Sequence, residues 1–216
     1  MGRRGLISVI TPTWHRHDLL LGRCVPSVRA QTYPDVEHVV VSDPDPELQA
    51  LVAGLPVVYG ETVTTGPGGA DARNHALTLA RGNLIAYLDD DDAYRPDHLR
   101  LLADALESDP AAGFAYSRAV IKCAGDSVLR IGDGPLAHGR VLSCMLLHRR
   151  ELLDVASWRS LIRADDWDLV SRWLDAGITC ASVDAVTCDY YPSVPLTGTP
   201  ACFPPHRPVP HAASRM

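Results

Sequence analysis

The sequence predicts an α/β fold, a mostly parallel central sheet with helices on both faces. Short β-branched runs alternate with helix-spaced segments through the first half of the chain, and such alternation builds right-handed βαβ units. Of the 216 residues, 46% are hydrophobic, enough for one sizeable core. Thr11, Asp43 and the acid run 89–92 stand at the carboxyl ends of three apolar runs, where sheets of this class bind ligands.

Residues 7–11 are a β-branched run ending in Thr11-Pro12-Thr13, a strand entering a loop. Residues 19–30 carry Leu20, Cys24 and Val28 at helical spacing despite Pro26. Residues 36–42 (VEHVVVS) are a second buried strand, stopped by Asp43-Pro44-Asp45-Pro46. A short helix over 47–53 and a strand over 56–59 follow. Gly66-Pro67-Gly68-Gly69 is a turn-rich loop before a helix over 70–81, with Gly82 as its stop. A fourth strand, 84–88, runs straight into Asp89-Asp90-Asp91-Asp92. Next come a helix over 96–107 with Pro96 near its first turn and a strand pair, 114–123 and 127–131, joined at Ala124-Gly125-Asp126. A strand over 141–148, an amphipathic helix over 165–175 and strands over 178–183 and 186–190 complete the pattern. Periodicity ends at Pro192, and residues 193–216 read as a loose Pro-rich tail suited to a mobile lid.

Charge and composition exclude several functions. The net charge is −6 with no long basic run, which disfavours nucleic acid as a partner. No apolar stretch reaches the roughly 20 residues of a membrane span. The short run after Arg3-Arg4 lacks a signal-peptide cleavage site, so a cytoplasmic location is expected. The six cysteines form no CxxC pair and match no zinc spacing. They are expected as reduced thiols, with a Cys188–Cys202 bridge as the alternative.

Four consecutive aspartates repel one another at the end of a buried strand. A hard cation, Mn2+ or Mg2+, relieves that repulsion, and such ions bridge one or two carboxylates to a diphosphate. A solvated acidic turn capping the next helix is the plainer alternative. A second acid group, Asp165-Asp166-Trp167-Asp168, opens the helix over 165–175, a position that also suits acids for the helix dipole alone.

Three stretches in order, LISVITPTWHRHDLL, SVRAQTYPDVEHVVVSD and GPGGADARNHALTLARGNLIAYLDDDDAYRPDHL, resemble family 2 glycosyltransferases of the GT-A fold. The likeness is close over the first half and weaker over the second. It implies one GT-A domain over residues 1–192, with a Rossmann-like nucleotide-sugar half (1–92) merged with an acceptor half (93–192). It also implies a nucleotide diphosphate sugar as donor, a UDP-sugar first. The acceptor would be a hydroxyl of a soluble small molecule or saccharide, and the reaction would be metal-dependent and inverting.

By the same resemblance, Thr11 and Pro12 would line the base pocket and Asp43 would receive the N–H edge of the base. Arg73 would lie near the base or the phosphates. Asp90 would contact the ribose, Asp91 the metal, and Asp89 would support one or both; the fourth acid leaves this register open by one position. Asp166 matches the catalytic base, with Asp165 as alternate, and an acceptor hydroxyl attacking an anomeric carbon needs such a group. His148 and Trp167 fall on the acceptor side, and His206 or His211 in the tail would supply a late metal ligand. Asp43 also suits an Asx turn before Pro44, and relatives carry a second acid where this chain has Ser42. Two other functions remain in view. One is a nucleotidyltransferase, although the glycine-rich loop such enzymes carry is absent from residues 11–16. The other is a catalytically inactive binding domain of the same fold.

Overall fold

The computed structural model describes residues 5–63, 69–122, 128–134, 136–160 and 165–192. Gly66, Pro67 and Gly68, the turn at 124–126, Cys123, Cys202 and the tail 193–216 with His206 and His211 lie outside the described residues.

The first half of the chain forms β1 (Ile7–Thr13), α1 (His17–Leu19), a π-helical turn (Leu20–Cys24), α2 (Val25–Arg29), β2 (Val36–Ser42), α3 (Pro46–Val52), β3 (Val58–Glu61), α4 (Gly69–Leu79) and β4 (Leu84–Tyr87). The second half forms β5 (Ala93–Tyr94), α5 (His98–Ser108), β6 (Ala112–Lys122), β7 (Val128–Ile131), a 3-10 turn (Ser143–Met145), β8 (Leu146–Arg149), a second 3-10 turn (Arg150–Asp154), α6 (Asp165–Asp175) and β9 (Thr179–Tyr190).

The strands make one sheet in the order β3-β2-β1-β4-β8-β6-β9-β5, with β7 paired to β6. β3, β2, β1 and β4 are mutually parallel. β8 runs antiparallel between β4 and β6, and β9 lies parallel to β6. Apolar side chains alternate between two layers, as the two-residue period of a strand requires. Leu84, Ala86 and Leu88 join Leu48, Leu99 and Leu102 on one face. Ile85 and Tyr87 join Ala76, Val170 and Trp173 on the other. α3 and α5 thus cover one face, and α4 and α6 the other. No helix among the described residues is long and apolar enough to cross a membrane. The four described cysteines, Cys24, Cys144, Cys180 and Cys188, are free thiols.

Two sequence motifs interlock in space. Gln31 donates to the carbonyl of Arg95 at 2.9 Å and accepts from the amide of Leu99 at 3.0 Å. The Thr32 amide donates to the Pro96 carbonyl, and its hydroxyl to Asp97. The QTYP turn is therefore the bracket that holds the segment following the acid run, through backbone groups that would otherwise be left unpaired.

The structure corrects three local expectations and adds one short strand. Only the second half of the run 141–148 is strand; residues 143–145 are a buried 3-10 turn, and an apolar run alone does not separate the two. The two final strands are one strand, β9, whose register on β6 shifts where the ladder is irregular. The two-residue strand β5, directly after the acids, carries too little pattern to be read in advance. Gly82 does follow α4, but for a different reason from a left-handed cap. A Cβ there would stand 2.6 Å from the Leu6 carbonyl oxygen and 2.6 Å from the Ser8 hydroxyl, so glycine lets the chain pass against β1.

Candidate active site

β1 leads outward through β2 to β3, and the chain then crosses back to place β4 on the other side of β1. A sheet that reverses in this way opens a crevice beyond the strand ends at the reversal. The acid run lies there, one residue beyond Leu88, whose amide donates to the Ile10 carbonyl.

β1 and the turn that follows it aim two side chains across the crevice. The Thr13 hydroxyl donates to Asp90 at 2.6 Å. His15 then takes a left-handed backbone (φ 52°), an uncommon conformation for a residue with a Cβ. The turn brings Arg16 onto the acids. Its Nη2 stands 2.5 Å from Asp90 Oδ1, its Nε donates to Asp90 Oδ2 at 3.1 Å, and its Nη1 donates to Asp91 Oδ2 at 2.5 Å. From the π-helical turn, Arg23 donates to the Asp91 carbonyl at 2.5 Å and lies over the Tyr191 ring at 3.7 Å. The Tyr191 amide in turn donates to Asp92 at 2.8 Å.

Exposure falls along the run. The Asp89 side chain keeps 27% of its surface, and Asp90, Asp91 and Asp92 are buried, with 12% of the Asp91 side chain still open. Burial pushes the Asp90 carboxyl up to about 6 against the pull of Arg16. Burial also raises Asp91, and it raises Asp92 well above the ordinary carboxylate range. Within the protein, therefore, arginines offset the mutual repulsion that a metal was expected to relieve. No group of three His, Cys, Asp or Glu among the described residues is arranged to hold a metal alone. A divalent ion that also takes phosphate oxygens needs only one or two carboxylates. Asp89 and Asp91 fit that donor set; Asp90, enclosed by Thr13 and Arg16, does not.

α4 builds the other wall. Arg73 Nη2 donates to Asp89 at 2.6 Å, and its Nη1 is 4.0 Å from Asp165. The guanidinium lies over the Trp158 ring at 4.6 Å. Neighbouring Asn74 fixes that ring by clamping the Trp158 backbone: its amide donates to the carbonyl at 3.0 Å, and its oxygen accepts from the N–H at 3.2 Å. Asp166 opens α6 beside this group. Burial pushes its carboxyl up to about 7, with Asp89 and Asp165 pushing the same way and Arg73 and the Ser143 hydroxyl opposing.

The other expected residues lie as follows. The Thr11 hydroxyl is fully buried and pairs with His38 Nε2 at 2.8 Å, so it packs the core instead of facing a base. Pro12 is buried within β1, opposite Val41. Asp43 stands at the end of β2 and accepts from the Thr62 hydroxyl at 3.1 Å. Asp90 has no open oxygen for a ribose. His148 is a core residue and not an acceptor-side one: it is fully buried, pairs with the Tyr87 hydroxyl and the Arg149 carbonyl, and lies against Trp173. Burial accordingly pushes its imidazole down to about 4. Trp167 is half-buried against the α4/α6 layer. Sequence reasoning missed Thr13, Arg16, Arg23 and Asn74; the only signal was two arginines shortly after the first strand in an otherwise acidic chain.

Residues 8–148 match the family described as Glycosyl transferase family 2. The chain belongs to that family. Among curated relatives of this glycosyltransferase is the putative colanic acid biosynthesis glycosyl transferase WcaA of Escherichia coli. It is 27% identical over 189 residues, covering 80% of this chain and 67% of the relative. The succinoglycan biosynthesis protein ExoO of Rhizobium meliloti is 32% identical over 136 residues, covering 61% of this chain and 38% of the relative. Residues 1–349 of Staphylococcus aureus TarS, solved with UDP-GlcNAc, superpose with a TM-score of 0.71 at 20% identity, covering 88% of this chain and 60% of that one. The mannosyltransferase PcManGT of Pyrobaculum calidifontis, solved with GDP-Man and Mn2+, gives 0.65 at 23% identity over 91% and 59%. The glycosyltransferase has the GT-A fold of these neighbours. It spans about three fifths of the two solved chains and less than half of ExoO.

Proposed function

We propose that this glycosyltransferase moves a sugar from a nucleotide diphosphate donor to an acceptor hydroxyl with inversion, using Asp166 as the general base. The observation that carries the reading is the reach of Arg73. One guanidinium faces Asp89 at the end of β4 and Asp165 at the start of α6, so donor-side and acceptor-side acids border one crevice. The solved neighbours with UDP-GlcNAc and GDP-Man support the donor class.

Asp89 and Asp91 would hold a divalent ion, and that ion would supply positive charge against the diphosphate leaving group. Asp166 accepts the proton of the acceptor hydroxyl as its oxygen bonds to the anomeric carbon. The bond from that carbon to the diphosphate oxygen breaks, and the nucleotide diphosphate leaves from the opposite face. A carboxyl poised near neutrality suits a group that must both take and release a proton. No covalent sugar–enzyme intermediate forms.

Calorimetry of nucleotide diphosphates with and without Mn2+ tests the donor site. Asp91→Ala is expected to remove the metal-dependent part of the affinity and leave the remainder. Equal affinity with and without Mn2+ in both the parent and the variant would rule the metal out. A nucleotidyltransferase would instead release pyrophosphate from a nucleoside triphosphate and a sugar phosphate.

Asp43, on the same rim as Thr13 through the pairing of Thr13 with Ser42, is assigned to the base edge. Asp43→Ala should weaken the preferred nucleotide by about tenfold and its competitors less, since lost hydrogen bonds carry discrimination. A uniform loss across bases would make Asp43 only the partner of Thr62.

A further inference from the structure

We propose that Arg73 is a positioning residue shared by the two halves of the reaction, a single guanidinium anchored on Asp89 that sets the charge and orientation of the Asp165–Asp166 pair. The inference rests on the reading of Asp166 as the base. Arg73 is buried, which is costly for a cation unless opposite charges surround it. Its Nη2 is taken by Asp89 at 2.6 Å, its Nη1 faces Asp165 at 4.0 Å, and its Nε has no partner among the described residues. The ring of Trp158 lies against the guanidinium face, and Asn74, the next residue on α4, clamps that ring's backbone. Consecutive residues of one helix thus supply a charge and the support that fixes it, an arrangement that preorganises a site.

The groups facing Asp166 come from four elements. Arg73 from α4 and the Ser143 hydroxyl from the 3-10 turn favour the ionised carboxylate. Asp89 beyond β4 and Asp165 of α6 itself disfavour it, as does burial. Among the described residues Arg73 is the one cation in this set, so its removal leaves burial and two carboxylates opposed by the Ser143 hydroxyl alone. The Asp166 carboxyl then holds its proton to higher pH, and less of the enzyme carries a usable base near neutrality.

The test is the pH profile of kcat and of kcat/KM for the donor in the parent, Arg73→Gln and Arg73→Lys, alongside Asp166→Asn. In the parent, activity should fall as the pH drops through about 7, the value to which Asp166 is raised. Arg73→Gln is expected to move that acid limb toward alkaline pH by about one unit or more. Its kcat at pH 7 should drop by about tenfold and recover above pH 8. Arg73→Lys keeps the charge and should hold the limb near its parental position, with a lower plateau from the lost two-pronged geometry. A residue that only supports the fold would lower the plateau and leave the limb in place, which overturns the proposal. So does a loss confined to donor affinity by calorimetry, which would make Arg73 a nucleotide ligand. If Arg73→Gln does not melt cooperatively, Arg73→Lys carries the test: an alkaline shift of a full unit despite the retained charge overturns the proposal. Parental turnover in Asp166→Asn would instead sink the assignment of the base, whatever Arg73 does.

Discussion

Asp166→Asn is expected to lower turnover by on the order of 10²–10⁴, the usual worth of a general base, with donor affinity nearly unchanged. The change keeps the size of the side chain and removes its basicity. Asp166 opens α6, whose Leu169, Val170 and Trp173 are buried, so a rigid element aims it. Because Asp166 stands on α6 and not on the segment that carries Asp89 and Asp91, calorimetric binding of a nucleotide diphosphate should survive. Asp165→Asn, the neighbouring control, should cost much less. The reverse order would move the base by one residue, and a product with retained anomeric configuration would end the single-displacement mechanism.

The same variant makes a stability prediction of opposite sign. In the folded protein the Asp166 carboxyl is raised to about 7, burial being the main cause. A group raised on folding favours the folded state while protonated. That contribution is full below the ordinary carboxylate range and is lost as the pH rises through about 7. The ionised carboxylate then costs the fold up to about 4 kcal/mol, and less where the group keeps solvent contact. Asp166→Asn should therefore raise the melting temperature, with a gain that grows from pH 5 to pH 7 and levels off above. A gain independent of pH would mean that the site does not strain the carboxylate. Activity gained at the expense of stability is the pattern expected of a functional site.

Arg16→Ala is expected to cost the fold about 3 kcal/mol at pH 8, the scale of an ion pair broken at a buried carboxylate. Arg16 is itself partly exposed, but Asp90 beneath it has no solvent contact, and its remaining partner is the Thr13 hydroxyl. The effect should depend on pH. Burial already raises Asp90 to about 6 with Arg16 in place, and without Arg16 it rises further. Near pH 5 parent and variant both hold the carboxyl protonated, so the difference between them shrinks. Urea melts at pH 8 and pH 5 read this directly. Equal destabilisation at both would mean that Arg16 acts through packing alone. Arg16→Lys should fall between, because an ammonium cannot span Asp90 and Asp91 with the fork that the guanidinium uses.

Those two residues differ in how visible they were. The place of Asp166 was legible because an acid pair at the start of an amphipathic helix is a local pattern, and its match to a family motif made it the candidate base. Arg16 was not, because its meaning depends on a partner 74 residues away brought close by the parallel pairing of β1 and β4. His148 shows the converse. A histidine in an apolar strand reads alike whether it faces a cleft or a core, and only the Tyr87 hydroxyl and the Arg149 carbonyl on its two nitrogens decide for the core. Thr11 and Asp90 show the same limit: each is a polar residue near the end of an apolar run, and each is paired within the protein.

The sequence by itself determined the α/β class, the strand β2 and the helix α6 to the residue, the acid run beyond β4 and the family. These depend on hydrophobic period, turn chemistry and ordered motifs, all of which are local along the chain. Tertiary structure alone decided which aspartates face the crevice, with Asp89 and Asp91 toward it and Asp90 and Asp92 inward. It also decided that arginines from the segment after β1 and from α4 offset the charge of the run. A carboxylate's neighbours are set by strand order and register, and their free energy depends on distance and burial, neither of which is written in the spacing of residues along a chain.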